Sequence, residues 1–253
     1  MSVTPKKELG QHFLVDENIL GVIGRLAELE PEDVVLEVGP GLGVLTRYLA
    51  PRVAHVHAVE LDRSLELQLQ GIERTTLHWQ DALSLDPATL EPPPTKLVAN
   101  LPYNVATPLV VESLDRAPTI GSWCVMVQRE VADRFFAQPG TKAYGAVSVL
   151  VQLVTERTGF HAVSREVFRP RPNVDSALVA FRRREPSVPA GVKRVVEAAF
   201  AHRRKTLANS LALTSVAARE RAVAALRAIG RDANVRAEEL APPEFVELTA
   251  ALA

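Results

Sequence analysis

Apolar runs of five to seven residues recur along the first half of the chain, separated by segments with helical spacing. They are VVLEV (34–38), HVHAVE (55–60), TTLHW (75–79), KLVAN (96–100) and SWCVMVQ (122–128). Such alternation predicts βαβ units, hence an α/β fold with a mostly parallel sheet flanked by helices. Ahead of them, DENILGVIGRLAELE (16–30) reads as a helix: Asp16 is a natural N-cap, Ile19, Leu20, Ile23, Leu26 and Ala27 share one face, and Pro31 stops it. After Pro139 and Gly140, two late apolar runs, YGAVSVLVQLVTERTGFHAV and FRPRPNVDSALVAFRRR, surround a proline turn with no long helix between them. They predict antiparallel strands that finish the sheet. Beyond the linker EPSVPAG (185–191) the chain turns to Ala, Leu, Arg and Glu at helical spacing, interrupted near Gly230 and at Pro242 and Pro243. The expected organisation is one domain over residues 1–186 and a small helical C-terminal domain over 187–253.

Composition narrows this picture. Among 253 residues, 47% are hydrophobic and 23% charged, the balance of a protein with a substantial core. The one cysteine, Cys124, excludes an intrachain disulfide and a cysteine-based zinc site, which fits a reducing compartment. The first residues lack the apolar core of a signal peptide and no stretch is long enough to span a bilayer, so the expectation is a soluble, cytoplasmic protein with no membrane partner. His55, His57, His78 and His161 lack metal-ligand spacing, and no metal is expected. Net charge is only −1, but between Arg182 and Lys205 eight basic residues face two acids. That run is either a solvated helix face or a cationic surface for a polyanion, with Arg203, Arg204 and Lys205 the best candidates for phosphate contact.

LEVGPGLGVLT joins a strand to a helix through Gly39, Gly41 and Gly43, residue types that let backbone approach a ligand. The spacing is G-x-G-x-G, not the dinucleotide G-x-G-x-x-G, which disfavours an NAD-dependent dehydrogenase. The next strand ends in VELD, where Glu60 can accept both hydroxyls of a ribose while Asp62 caps the following helix. Asp81, in QDAL after the third strand, can reach an adenine amine. The three features together point to an adenosine-containing cofactor.

A fourth strand delivers NLPY to the ligand-bearing edge of the sheet. Asn100 offers an amide carbonyl, Pro102 stiffens the turn so that the Leu101 carbonyl can be aimed, and Tyr103 offers a flat face. An adenine amine is a poor nucleophile because its lone pair is delocalised. Two acceptors holding its two hydrogens favour a pyramidal nitrogen directed at a methyl donor, so alignment replaces a strong base.

GQHFL, LEVGPGLGVLT, VELD, QDAL, NLPYNVATPL, QREVADR, YGAVSV and FRPRPNVDSALV occur in the order found in rRNA adenine N6,N6-dimethyltransferases. The chain resembles that family, most closely its bacterial small-subunit branch, over about residues 6–183 and more weakly through AFAHRRKTLANSL (199–211). The resemblance implies a Rossmann-like class I methyltransferase fold and S-adenosylmethionine as cofactor. It also implies two adjacent adenosines near the 3′ end of small-subunit rRNA, within an immature subunit, as substrate of a monomeric enzyme. Cofactor contacts would fall on His12, Leu14, Gly39, Glu60, Asp81 and Asn100, with Gln11, Gly41, Gly43 and Ala82 as additions. Asn100, Leu101 and Tyr103 would be catalytic, addressing a target adenine flipped out of its stack. Two positions depart from the family: His12 stands where many members have Asn, and Ala208 where a basic residue is common. The rivals are the branch that methylates large-subunit rRNA and confers macrolide resistance, disfavoured by NLPY and RRKTLANS, and a non-catalytic RNA-binding assembly factor, disfavoured by Glu60, Asp81 and Asn100.

Overall fold

Strand β2 (Val34–Val38) is buried at all five positions, as expected of a strand covered on both faces of a parallel sheet. The computed structural model describes residues 5, 6, 10–185 and 187–253. Pro186, where the first predicted domain ends, lies outside the described residues. The chain forms two compact units, one running up to Ala132 and resuming over 156–184, the other made of residues 133–155 and 185–253.

In the first unit, β2 lies between β3 (His55–Glu60) and β5 (Lys96–Asn100), β3 carries β4 (Thr75–Trp79) on its far side, and β5 carries β6 (Ser122–Gln128). All four of these pairings are parallel. Strand β9 (Ser176–Arg183) pairs antiparallel with β6, and β7 (Thr155–Val163) lies beyond it at the edge. The chain order therefore reverses between β2 and β5, so a crevice opens at their carboxyl ends, where α/β sheets hold ligands. A separate two-stranded ribbon pairs β1 (Phe13–Leu14) antiparallel with β8 (Phe168–Arg169).

Helix α1 (Glu17–Leu26) begins as predicted, with Asp16 accepting from the Asn18 N–H, and buries Ile19, Leu20 and Ile23. It ends earlier than Pro31 requires, and Glu28 adopts a positive φ of 48° just beyond it. Helix α2 (Val44–Leu49) follows the glycine loop, α3 (Glu66–Leu69) is a single turn, and α4 (Ala106–Arg116) follows NLPY. Cys124 is buried in the core with its thiol pushed up to about 12 by burial, and Trp123 stacks on Phe181 at 5.2 Å.

Helix α5 (Arg129–Phe135) leads into the second unit, which holds α6 (Ala146–Val154), α7 (Val192–Phe200), α8 (Leu207–Leu213), α9 (Arg219–Ala228) and α10 (Pro242–Leu252). The AVSVLVQLV run is helix, not the strand its β-branched residues predict; it is apolar nearly all round, the pattern of a helix covered on most sides. Pro242 and Pro243 open α10 instead of breaking a helix, because the first turn needs no N–H from them. Tyr144 is fully buried here and donates to the Leu240 carbonyl at 2.8 Å.

Candidate active site

The crevice at the ends of β2 and β5 contains about 1040 Å³ of space, open mouth included. One wall is the glycine loop. Gly39 and Gly41 have φ of 72° and 57°, and a Cβ on Gly41 would lie 2.9 Å from the Phe13 ring, so the loop backbone itself forms the surface. Gly43 lies outside the cleft wall, at the N-cap of α2.

At the end of β3, Glu60 receives the Gly41 N–H at 3.2 Å on Oε2 and the Asp62 N–H at 2.8 Å on Oε1. Burial raises its pKa, and those backbone N–H groups partly offset the rise. The carboxylate is thus fixed at the cleft with lone pairs to spare. Burial alone would also raise Asp62, but hydrogen bonds from Lys6, Ser64 and Gln11 reverse this and hold it well below the usual range. Lys6 Nζ lies 2.6 Å and Gln11 Nε2 3.0 Å from its two oxygens, and the Ser64 N–H donates at 3.1 Å. Asp62 therefore caps its helical turn as expected and also holds the side chains of Lys6 and Gln11. The Gln11 amide, expected to face the cofactor, is engaged at both ends, since its Oε1 accepts from the Lys6 N–H. Asp81 and Ala82 line the third side, with Asp81 Oδ1 accepting from the Leu83 N–H at 2.9 Å.

The sequence reading passed over Glu37. Its signal was an acid inside an otherwise apolar strand, VVLEV. Glu37 is almost fully buried yet lines the cleft, and burial pushes its pKa up to about 8; the neighbouring Thr46 hydroxyl lowers it, short of a formed hydrogen bond, and Glu60 raises it. Its Oε2 has no partner among the described residues. An unpartnered buried carboxyl beside a glycine cradle and a strand-end carboxylate fits a polar, nucleoside-bearing ligand with a cationic end.

At the other end of the cleft, β5 delivers Asn100, whose Nδ2 donates to the His12 carbonyl at 3.3 Å, leaving Oδ1 for another donor. The Leu101 N–H donates to Met126 at 3.0 Å, and among the described residues no donor reaches its carbonyl. Tyr103 Oη lies 2.7 Å from Ser176 Oγ, and its ring leans on His12 with centroids 5.5 Å apart. His12 Nδ1 donates to the Pro170 carbonyl at 2.7 Å, which fixes the tautomer because a carbonyl only accepts. His12 and Leu14 reach this wall on the ribbon segment, so the cofactor and catalytic residues expected from the sequence, Gly43 excepted, border one cleft.

The model of the ribosomal RNA adenine dimethylase family matches residues 3–249. The chain belongs to this family. Relatives include the ribosomal RNA small subunit methyltransferase A of Rubrobacter xylanophilus, 47% identical over 250 residues, covering 96% of this chain and 94% of that protein. That of Thermobifida fusca is 44% identical over 264 residues, covering 98% and 90%. Among solved structures, the 23S rRNA methyltransferase ErmE is 31% identical with a TM-score of 0.64, covering 95% of this chain and 99% of that one. A dimethyladenosine transferase from Plasmodium falciparum shares the fold at a TM-score of 0.79 and 24% identity, covering 94% and 96%. The fold of this family member is accordingly the Rossmann-like methyltransferase fold, with additional C-terminal helices.

The basic run divides in a way the sequence did not reveal. Arg182 pairs with Glu156 at 2.6 Å. Arg183 donates to the carbonyls of Ile120, Leu114 and Ala117 at 2.8, 3.0 and 3.2 Å, closing the end of α4, and lies over the Trp123 ring. In the helical unit, Arg203 donates to the carbonyls of Lys142 and Tyr144. The exposed side chains of Arg204 and Lys205 have no hydrogen bond or ion pair among the described residues. Ala208 is buried in α8, so a longer basic side chain there would need a different local packing. His57 hydrogen-bonds His78 at 3.1 Å and the Pro92 carbonyl at 2.8 Å, a satisfied pair on β3 and β4.

Proposed function

We propose that this protein transfers methyl groups from S-adenosylmethionine to the exocyclic amines of two adjacent adenosines near the 3′ end of small-subunit rRNA, giving N6,N6-dimethyladenosine. The observation that carries the reading is that Asn100 and Leu101, consecutive at the end of β5, both line the cleft, with no donor among the described residues to Asn100 Oδ1 or to the Leu101 carbonyl. When bound, S-adenosylmethionine supplies an electrophilic methyl group. Glu60 would hold the ribose hydroxyls, Asp81 the adenine amine, and the backbone at Gly39 and the walls at His12, Leu14, Gly41 and Ala82 the rest of the cofactor. Asn100 and Leu101 each take one hydrogen of the target amine, which turns its lone pair out of conjugation and toward the cofactor end of the cleft. Neither group is a strong base, so the proton lost from the methylated amine leaves to solvent. Tyr103 stacks on the flipped ring, and alignment together with fixed dipoles accounts for the acceleration.

Arg204 and Lys205, with Arg203 as a partial contributor, are suited to the phosphate backbone. The helical unit that carries them has 12 Lys and Arg against nine acids, whereas the other has 17 against 21. The substrate is an immature small subunit, met by a monomer in the cytoplasm. The family membership supports this reading, as does the absence of any helix long and apolar enough to cross a membrane among the described residues.

The test is incubation with labelled S-adenosylmethionine and immature small subunits, followed by nucleoside analysis. Label in dimethyladenosine of small-subunit rRNA is expected; label confined to large-subunit rRNA would move the protein to the resistance branch, and none would leave an RNA-binding assembly role. Replacing Arg203, Arg204 and Lys205 by Ala should weaken subunit binding and flatten its log–log salt dependence by about two, at roughly 0.9 per phosphate contact. An unchanged slope would return the cluster to ordinary solvated surface.

A further inference from the structure

We propose that Ser176 is a positioning residue for methyl transfer, its hydroxyl setting the ring plane of Tyr103. The proposal rests on the reading of Tyr103 as the surface on which the target base stacks. An aromatic ring turns about a broad torsional minimum, so a stacking platform at the open end of a cleft needs a contact at its far tip. Ser176 Oγ, 2.7 Å from Tyr103 Oη, supplies that contact.

The serine is itself immobile. It is almost completely buried, and it begins β9, where it pairs with Gln128 at the end of β6. The preceding residue is fixed as well, because the Arg129 N–H donates to the Asp175 carbonyl at 3.0 Å and Arg165 Nε lies 3.4 Å from the Asp175 carboxylate. Upstream, the same segment is held by the ribbon register Phe13↔Arg169 and Leu14↔Phe168, and by the His12 hydrogen bond to Pro170 at 2.7 Å. Tyr103 is thereby bracketed between Ser176, against its hydroxyl, and His12, against its ring; that segment holds His12 through Pro170, and the His12 carbonyl accepts from Asn100. The chain from 168 to 176 thus couples the platform to the amide that orients the amine. Tyr103 is half-buried at this contact, and that burial raises the pKa of its phenol.

The experiment is a double-mutant cycle on the full chain with immature small subunits, using Ser176→Ala and Tyr103→Phe, with Tyr103→Ala as reference. A neutral hydrogen bond is worth about 3- to 10-fold in an equilibrium or rate, so each conservative single variant should lower kcat/KM for subunits about 5-fold. Calorimetric S-adenosylmethionine affinity and thermal midpoint should stay near wild type, and the double variant should be no worse than either single one. Ser176→Thr, which keeps the hydroxyl, should restore most of the loss. Additive losses, or a Ser176→Ala enzyme with normal kcat/KM beside a crippled Tyr103→Ala, would overturn the positioning role alone. A Tyr103→Ala enzyme with normal kcat/KM would overturn the stacking reading beneath it.

Discussion

At one end of the cleft, Glu60 is held by backbone N–H groups no more than 19 positions away; at the other, Tyr103 is held by a hydroxyl 73 positions away. The first end is assembled by a strand, a glycine turn and the next strand, elements that a parallel sheet places side by side. The second end exists only once β9 and the β1–β8 ribbon have closed around NLPY. Local chemistry therefore builds the wall at Glu60, proposed to hold the cofactor, and tertiary closure builds the wall at Tyr103, proposed to hold the base. The two should respond differently to substitution.

The largest effect is expected between them. Asn100→Ala removes one of the two acceptors proposed to orient the amine, and should cut the single-turnover rate about 10²- to 10³-fold, the scale of losing one preorganised polar group, with the fold intact by circular dichroism. Near-normal turnover would break the alignment mechanism and with it the distinction between the ends. Glu60→Ala should come next. Hydrogen bonds to a charged group contribute about 1.5–3 kcal/mol each, so losing two ribose contacts should weaken S-adenosylmethionine binding about 100-fold or more in calorimetry, with the KM for subunits little changed.

A smaller and different signal should come from Glu37. Its carboxyl pKa is raised from 4.5 to about 8 in the folded protein, so the folded state binds the proton more tightly than the unfolded one. The stability this contributes is present in full below about pH 4.5 and is lost as pH rises to about 8, a change on the order of 4–5 kcal/mol at most. Glu60, also raised, acts in the same direction, whereas Asp62, held low, matters only in acid. Denaturant midpoints of the ligand-free protein should therefore fall between pH 5 and 8, and Glu37→Gln should flatten much of that fall. A pH-independent wild type would mean that Glu37 is ionised in the fold.

The same contrast governs what the sequence displayed. Glu60, Asp62 and Asp81 were legible because each sits at a strand end whose position follows from hydrophobic periodicity. NLPY was legible because a polar ending to an apolar strand asks for a use. Ser176 was not, since nothing in PNVDSA says which distant hydroxyl it meets. Glu37 was visible as an acid in VVLEV, but only burial among apolar neighbours gives it meaning. The AVSVLVQLV run misled because β-branched residues carry strand propensity, which burial in a helical unit overrides. Arg183 read as part of either a solvated or a cationic face until the end of α4 supplied carbonyls for it. The single boundary expected near Ser187 likewise could not anticipate that residues 133–155 would group with the last helices.

The most direct test of the two-ended cleft is to measure, on one Tyr103→Ala preparation, both the S-adenosylmethionine dissociation constant and the KM for immature subunits. Base stacking is worth about 1–3 kcal/mol, so KM should rise by roughly 5- to 150-fold while cofactor affinity stays within about 2-fold of wild type. Equal losses in both would show that the two walls are one cooperative structure and would contradict the account.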